Sequence, residues 1–186
     1  MTSESLKAGG WVAMASAFLV LPIAYLSFTL EGRTNSYSEE LQTFIQASGT
    51  LIFLTIFLYL KKFLNSRFSF HATDTTIAFV VMANMVTGAV ALGIYSFPAL
   101  KESLASLLII IQVVQGIVLI RFGFNLLKLP DNLGGMLNPF CYANIATGIL
   151  LASVILIPLS MLASAISALM LGTIFFNAAR RLSSQS

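Results

Sequence analysis

The 186 residues are 58% hydrophobic and 9% charged, far below the roughly one-quarter charged share of soluble domains, which excludes an ordinary water-soluble fold. Ten Lys and Arg against seven acids give a net charge of +3, but the basic residues stand in short groups at the ends of apolar runs; with no basic helix face, nucleic acid is excluded as a partner. A single cysteine, Cys141, and a single histidine, His71, exclude an intramolecular disulfide, a cysteine-cluster metal site and a bis-histidine haem, so no metal and no cofactor is expected.

The first apolar run, Trp11 to Leu30, is long enough to cross a bilayer and ends in FTLEGRT rather than in a small-residue cleavage site, so a retained first span is expected. Pro22 in its second half predicts a kink. The segment Glu31 to Glu40, EGRTNSYSEE, reads as a solvated loop. Span 2 is predicted over 41–60. The following YLKKFLNSRFSFH interleaves Lys61, Lys62 and Arg67 with Phe63, Phe68 and Phe70, a mixture suited to a connector lying in the headgroup layer.

Span 3 is predicted over 74–95, capped by Thr73 or Asp74 and ended by Pro98. Span 4, over 104–121, carries Gln112 and Gln115 at membrane depth. Lipid offers their amides no partner, so that face is expected to point at other helices. FGFNLLK is expected to continue along the interface, with Arg121 snorkelling to it. The connector PDNLGGMLNP, Pro130 to Pro139, is dense in turn formers. From Phe140 to Ala179 forty residues pass without a charge. As one helix they would measure roughly 60 Å, twice the hydrocarbon thickness. Pro158 therefore divides them into span 5, 140–157, and span 6, 159–179, joined by a tight turn.

The fold expected is an all-α polytopic membrane bundle of six spans in three hairpins, forming one membrane domain. Six spans gather Lys7, Lys61, Lys62, Arg67, Arg121, Lys128, Arg180 and Arg181 on one side and leave Arg33 and Lys101 on the other. Eight against two is a strong positive-inside bias, which predicts cytoplasmic termini and a multi-pass protein of the plasma (inner) membrane.

Two segments match at an offset of sixty residues: ANMVTG, with Asn84, Thr87 and Gly88, and ANIATG, with Asn144, Thr147 and Gly148. Pro98 matches Pro158 at the same offset. A repeated hairpin, 73–128 and 139–181, is one explanation and shared biased composition another. Asn84, Thr87, Gln112, Gln115, Asn144 and Thr147 form the candidate polar intramembrane face, serving either as interhelical glue or as the lining of a neutral path. Gly88 and Gly148 allow close helix approach. Ser160, Ser164, Ala168 and Gly172, at intervals of four, form a small-residue ridge for helix packing.

Catalytic candidates are missing. His71 lies at a helix edge and reads as an interfacial residue, Glu39 and Glu40 are adjacent in a loop, and no serine sits in GxSxG. The expectation is a non-enzymatic membrane protein, a structural or accessory subunit or scaffold. The alternative is a small transporter or channel for a neutral or weakly polar solute that uses the Asn/Thr/Gln face. Its partners would be the lipid bilayer, with other membrane subunits or a second copy of the chain.

Overall fold

A computed structural model describes residues 1–30 and 36–184, and every regular element among them is helical. Six α-helices follow in order: α1 (Ser3–Leu30), α2 (Ser36–Phe68), α3 (Asp74–Ser96), α4 (Lys101–Leu126), α5 (Leu137–Ala152) and α6 (Ile157–Ser183). Five of them, all but α5, are long and apolar enough to cross a membrane by length and composition. With 16 residues α5 measures about 24 Å, short of the roughly 30 Å hydrocarbon core.

Each helix packs against its neighbours in the chain, and α1 also packs against α6; no other helix pair brings Cα atoms within 8 Å among the described residues. The helices therefore close into a ring. Side-chain hydrogen bonds tie two of these pairs: Asn65 of α2 bonds Asp74 of α3, and Asn144 of α5 bonds Ser167 of α6. The Ser3 hydroxyl donates to the Ala179 carbonyl at 3.2 Å, which brings the starts of α1 and the end of α6 together.

Small residues set the tightest seams, because apolar side chains gain nothing by leaving lipid for one another and van der Waals packing of close backbones takes over. A Cβ on Gly116 of α4 would stand 2.6 Å from the Gly148 carbonyl oxygen of α5, and one on Gly148 would stand 2.6 Å from that of Gly116. On the α1–α6 seam a Cβ on Gly172 would meet the Met14 Cγ at 2.9 Å and the Gly10 carbonyl oxygen at 3.2 Å. At the end of the ring that holds Ser3 and Ala179, the fully buried Leu6, Phe63, Leu64, Phe122, Leu126 and Phe175 fill the interior. The Phe63 and Phe175 rings meet edge to face with centroids 5.6 Å apart. Outside, large side chains such as Phe18, Tyr25, Phe44 and Ile110 are exposed, a surface suited to lipid.

Several boundaries differ from the sequence reading. Helix α2 continues to Phe68, so the basic and aromatic stretch after Leu60 is helical rather than a surface connector; Phe63 and Leu64 pack into the core, and the turn comes at Ser69, whose φ is 49°. Helix α4 likewise continues through FGFNL, burying Phe122 and Leu126. The first loop is shorter than expected, since α2 begins at Ser36, and 31–35 lie outside the described residues. Leu137 to Pro139 belong to α5. Pro22 lies inside α1, which runs on through it.

The largest shift concerns the long uncharged run. Its break lies at 153–156, and Pro158 sits in the first turn of α6, where a missing N–H costs nothing because those donors have no helical partner. Val154 adopts φ 62°, and the Ser153 hydroxyl donates to the Leu150 carbonyl while accepting from the Leu156 N–H.

The glycine contacts generate a contrast in stability. Gly116→Ala and Gly148→Ala should each destabilise the protein by about 1–3 kcal/mol, the usual cost of overpacking, because the atoms in the way are backbone. Gly49→Ala, where an added Cβ meets nothing within 4 Å, should be neutral or mildly stabilising. Thermal denaturation in detergent reads all three.

Candidate functional site

Between the helices lies a partly open cavity of about 360 Å³, within the range of small-molecule sites. Its wall comes from all six helices: Ser16 to Ala24 on α1, Ile45 to Leu60 on α2, Asn84 on α3, Leu119 on α4, Phe140, Asn144 and Thr147 on α5, and Met161 to Leu171 on α6. The lining is mainly apolar and, among the described residues, contains no ionisable side chain. The Phe63, Phe122 and Phe175 cluster stands at the end of the ring beyond the lining, on the side of the chain termini.

Of the six residues in the candidate polar face, Asn84, Asn144 and Thr147 line this cavity, and Thr87, Gln112 and Gln115 do not. Gln115 is buried in line with Leu119, Phe122 and Leu126 on the inner face of α4, and Gln112 is half-buried. From the packing set, Ser164 and Ala168 line the cavity, Ser160 is buried one turn further along α6, and Gly172 sits on the α1 seam. Gly88 receives Thr50 of α2, whose Oγ1 lies 2.8 Å from where its Cβ would be.

The two matching motifs differ in their hydrogen bonds. On α5 the Asn144 amide donates to the Phe140 carbonyl at 2.8 Å and to the Ser167 hydroxyl oxygen at 2.9 Å, and the Thr147 hydroxyl donates to the Ala143 carbonyl at 2.8 Å. That motif is closed on itself and on α6. On α3, Asn84 Oδ1 and Thr87 Oγ1 are buried and make no hydrogen bond, and neither does Thr50 Oγ1, which packs on Gly88 from α2. An unpaired buried polar atom costs about 1–3 kcal/mol, so three in the α2–α3 seam make it a poorly satisfied contact. Comparison with protein-family models, curated proteins and solved structures finds no match. What the cavity does is argued from its own chemistry.

Four polar lining residues lie outside the sequence motifs: Ser16, Gln46, Thr50 and Ser167. One signal for them exists in the sequence. Gln46, Gly49 and Thr50 repeat on α2 the i, i+3, i+4 spacing of Asn84, Thr87 and Gly88, an amide followed one turn later by a threonine and a glycine.

At the end where α2 turns into α3, Asp74 holds the two helices together. Its carboxylate accepts from the Asn65 amide at 2.9 and 3.1 Å, lies 2.9 Å from His71 Nδ1 and is 4.0 Å from the Lys61 ammonium. Thr73 is the N-cap residue of α3 without a side-chain capping bond.

The unequal bonding of the motifs makes their asparagines unequal in stability. Asn144→Leu should lower stability by about 1 kcal/mol, within the range of membrane hydrogen bonds, because it strips Ser167 of its partner. Asn84→Leu should leave stability unchanged or raise it, since it removes an unpaired acceptor. Matched melting curves in detergent check both, and equal losses would contradict the hydrogen-bond assignment.

Proposed function

We propose that the chain is a small polytopic membrane protein that holds a neutral, largely apolar molecule inside its helix ring, as a carrier or binding protein and not an enzyme. The observation that carries this reading is the partly open cavity between the helices, to which all six contribute and whose described lining is mostly apolar and uncharged. Most of the wall is apolar, which suits an occupant with a largely apolar body. A charged solute would meet no counter-charge among the lining residues, and its desolvation would go uncompensated.

In this reading all six helices sit in the membrane with both termini in the cytoplasm, in line with the eight basic residues gathered on that side. Helix α5 is shorter than the hydrocarbon core, and local thinning of the bilayer or recession of the 153–156 turn accommodates it. The repeated hairpin fits the match of α3 and α5, with one copy kept for packing and the other for the ligand. An accessory-subunit role is the competing reading.

Native mass spectrometry of gently solubilised protein distinguishes the two. The expected result is a neutral small molecule bound one to one, lost when Ala168→Trp fills the cavity. A ligand-free chain that co-purifies with a second protein subunit would contradict the proposal in favour of the accessory role. Orientation has its own test in a Cys141→Ala background, since Cys141 is buried. Membrane-impermeant maleimide on intact cells should label Lys101→Cys, at an exposed position, and leave Ser184→Cys unlabelled. The reverse pattern would invert the topology.

A further inference from the structure

We infer that the end of the ring carrying the chain termini holds a site for a phosphate group, built from Arg67 of α2 and Arg181 of α6 and independent of the cavity between the helices. The two arginines line one cleft together with Asn177 and Asp131, over a floor that includes the buried Phe63 and Ile174. Helices α2 and α6 are not neighbours in the ring, so the cleft lies across its end and not on its lipid-facing flank. Its volume of about 50 Å³ has room for roughly four waters at ~10–15 Å³ each, close to the bulk of one tetrahedral oxyanion.

The cleft is rich in donors that the chain does not use. Among the described residues the ion pairs are Lys61–Asp74 and His71–Asp74, and neither guanidinium has an ion pair or a hydrogen-bond acceptor. Arg67 is nevertheless half-buried. A guanidinium carries five N–H donors and a permanent charge, so withdrawing it from water without a partner costs free energy that a bound anion offsets. Arg181 reaches the cleft over the α4–α5 connector: its Nη2 lies 3.1 Å from where a Cβ on Gly134 would stand, and Gly134 has φ 70°, a conformation that favours glycine. Asn177, half-buried and without a side-chain hydrogen bond among the described residues, adds an amide donor. Against these stands one acid. Asp131 Oδ1 accepts the Leu133 N–H at 2.6 Å, and the carboxylate pairs with neither arginine.

Two forked cations and an amide select the ligand. A carboxylate offers two coplanar oxygens and answers one fork, whereas a phosphate presents oxygens to both and carries about −1.5 to −2 at pH 7, against two positive charges. Arg67 also borders a larger cleft of about 290 Å³ with Leu6 and Ser66, room for the body of a molecule that presents the phosphate. The group is therefore either free in solution or carried by a soluble molecule or a lipid headgroup.

The test titrates the full chain, in neutral phosphatidylcholine nanodiscs at constant ionic strength, with radiolabelled inorganic phosphate by equilibrium dialysis, and records melting temperatures alongside. One saturable site is expected. Arg67→Gln and Arg181→Gln should each weaken it about tenfold, the factor that about 1.4 kcal/mol sets. Asp131→Asn should tighten it, since the like charge goes while an oxygen remains for the Leu133 N–H. Lys62→Gln, at an exposed position outside the cleft, should change it by less than about twofold. Arg181 is exposed, so its variant carries the readout where Arg67→Gln does not fold. Absence of saturable binding, or binding unchanged in both arginine variants, would overturn the site. So would an Asp131→Asn variant that melts lower and binds phosphate no better, because the arginines would then be answering that carboxylate. Nanodiscs containing phosphatidic acid distinguish the sources: loss of inorganic phosphate binding there supports the site with a lipid headgroup as its ligand, and unchanged binding supports it with a soluble phosphate.

Discussion

Everything enclosed by this fold depends on the contact between its first and last helices. Without the α1–α6 seam the six helices would be an open row of hairpins, each inner face looking into lipid. Gly10 and Gly172 let the two backbones approach, Ser3 ties their ends, and Trp11 sets its ring edge to face on Phe176 at 5.4 Å. The seam joins positions more than 160 residues apart in the sequence. Because transfer from lipid to protein offers apolar side chains no hydrophobic gain, closure has to come from such fitted backbone contacts.

Once the ring is closed, its interior divides into two regions with different packing. Toward the termini, phenylalanines and leucines from α1, α2, α4 and α6 meet and exclude space. Higher up, several positions that α5, α6 and α2 give to the lining are small or polar, among them Thr147, Ser164, Ala168 and Thr50. A cavity is the result. Three unpaired polar atoms, Thr50 Oγ1, Asn84 Oδ1 and Thr87 Oγ1, lie buried in the adjoining α2–α3 seam. Duplicated or not, the two ANxxTG motifs end in different chemistry because of their neighbours: α6 offers Asn144 the Ser167 hydroxyl, while Asn84 Oδ1 finds no partner.

Much of this fold was legible in the sequence, and the failures have physical causes. Long apolar runs announced the helices. Their ends were misplaced wherever charged residues ride on a helix whose opposite face is buried, as in Lys61 to Arg67, where Phe63 and Leu64 point inward. The turn between α5 and α6 carries only Ser, Val, Ile and Leu, so nothing polar marks it, and Pro158 drew the break five residues too far because proline also begins helices. The candidate site was half legible. Asn84, Asn144 and Thr147 stood out as amides and hydroxyls in apolar runs, whereas Thr50 and Ser167 look like ordinary helix residues until the ring brings them opposite those amides. Gln112 and Gln115 show the converse: polarity alone does not say which seam a helix face enters.

Ring closure within a single chain is the claim on which the cavity and the proposed binding role depend. The most direct measurement is oxidative cross-linking of the double variant Ser3→Cys, Ala179→Cys in membranes, with Cys141→Ala to remove the native thiol. The Ser3 hydroxyl lies 3.2 Å from the Ala179 carbonyl oxygen, so the two positions adjoin across the seam. The ring predicts a rapid intramolecular disulfide, seen as a faster-migrating monomer that is independent of protein concentration. Cross-linking only between chains, or none under conditions that oxidise a control pair, would contradict it.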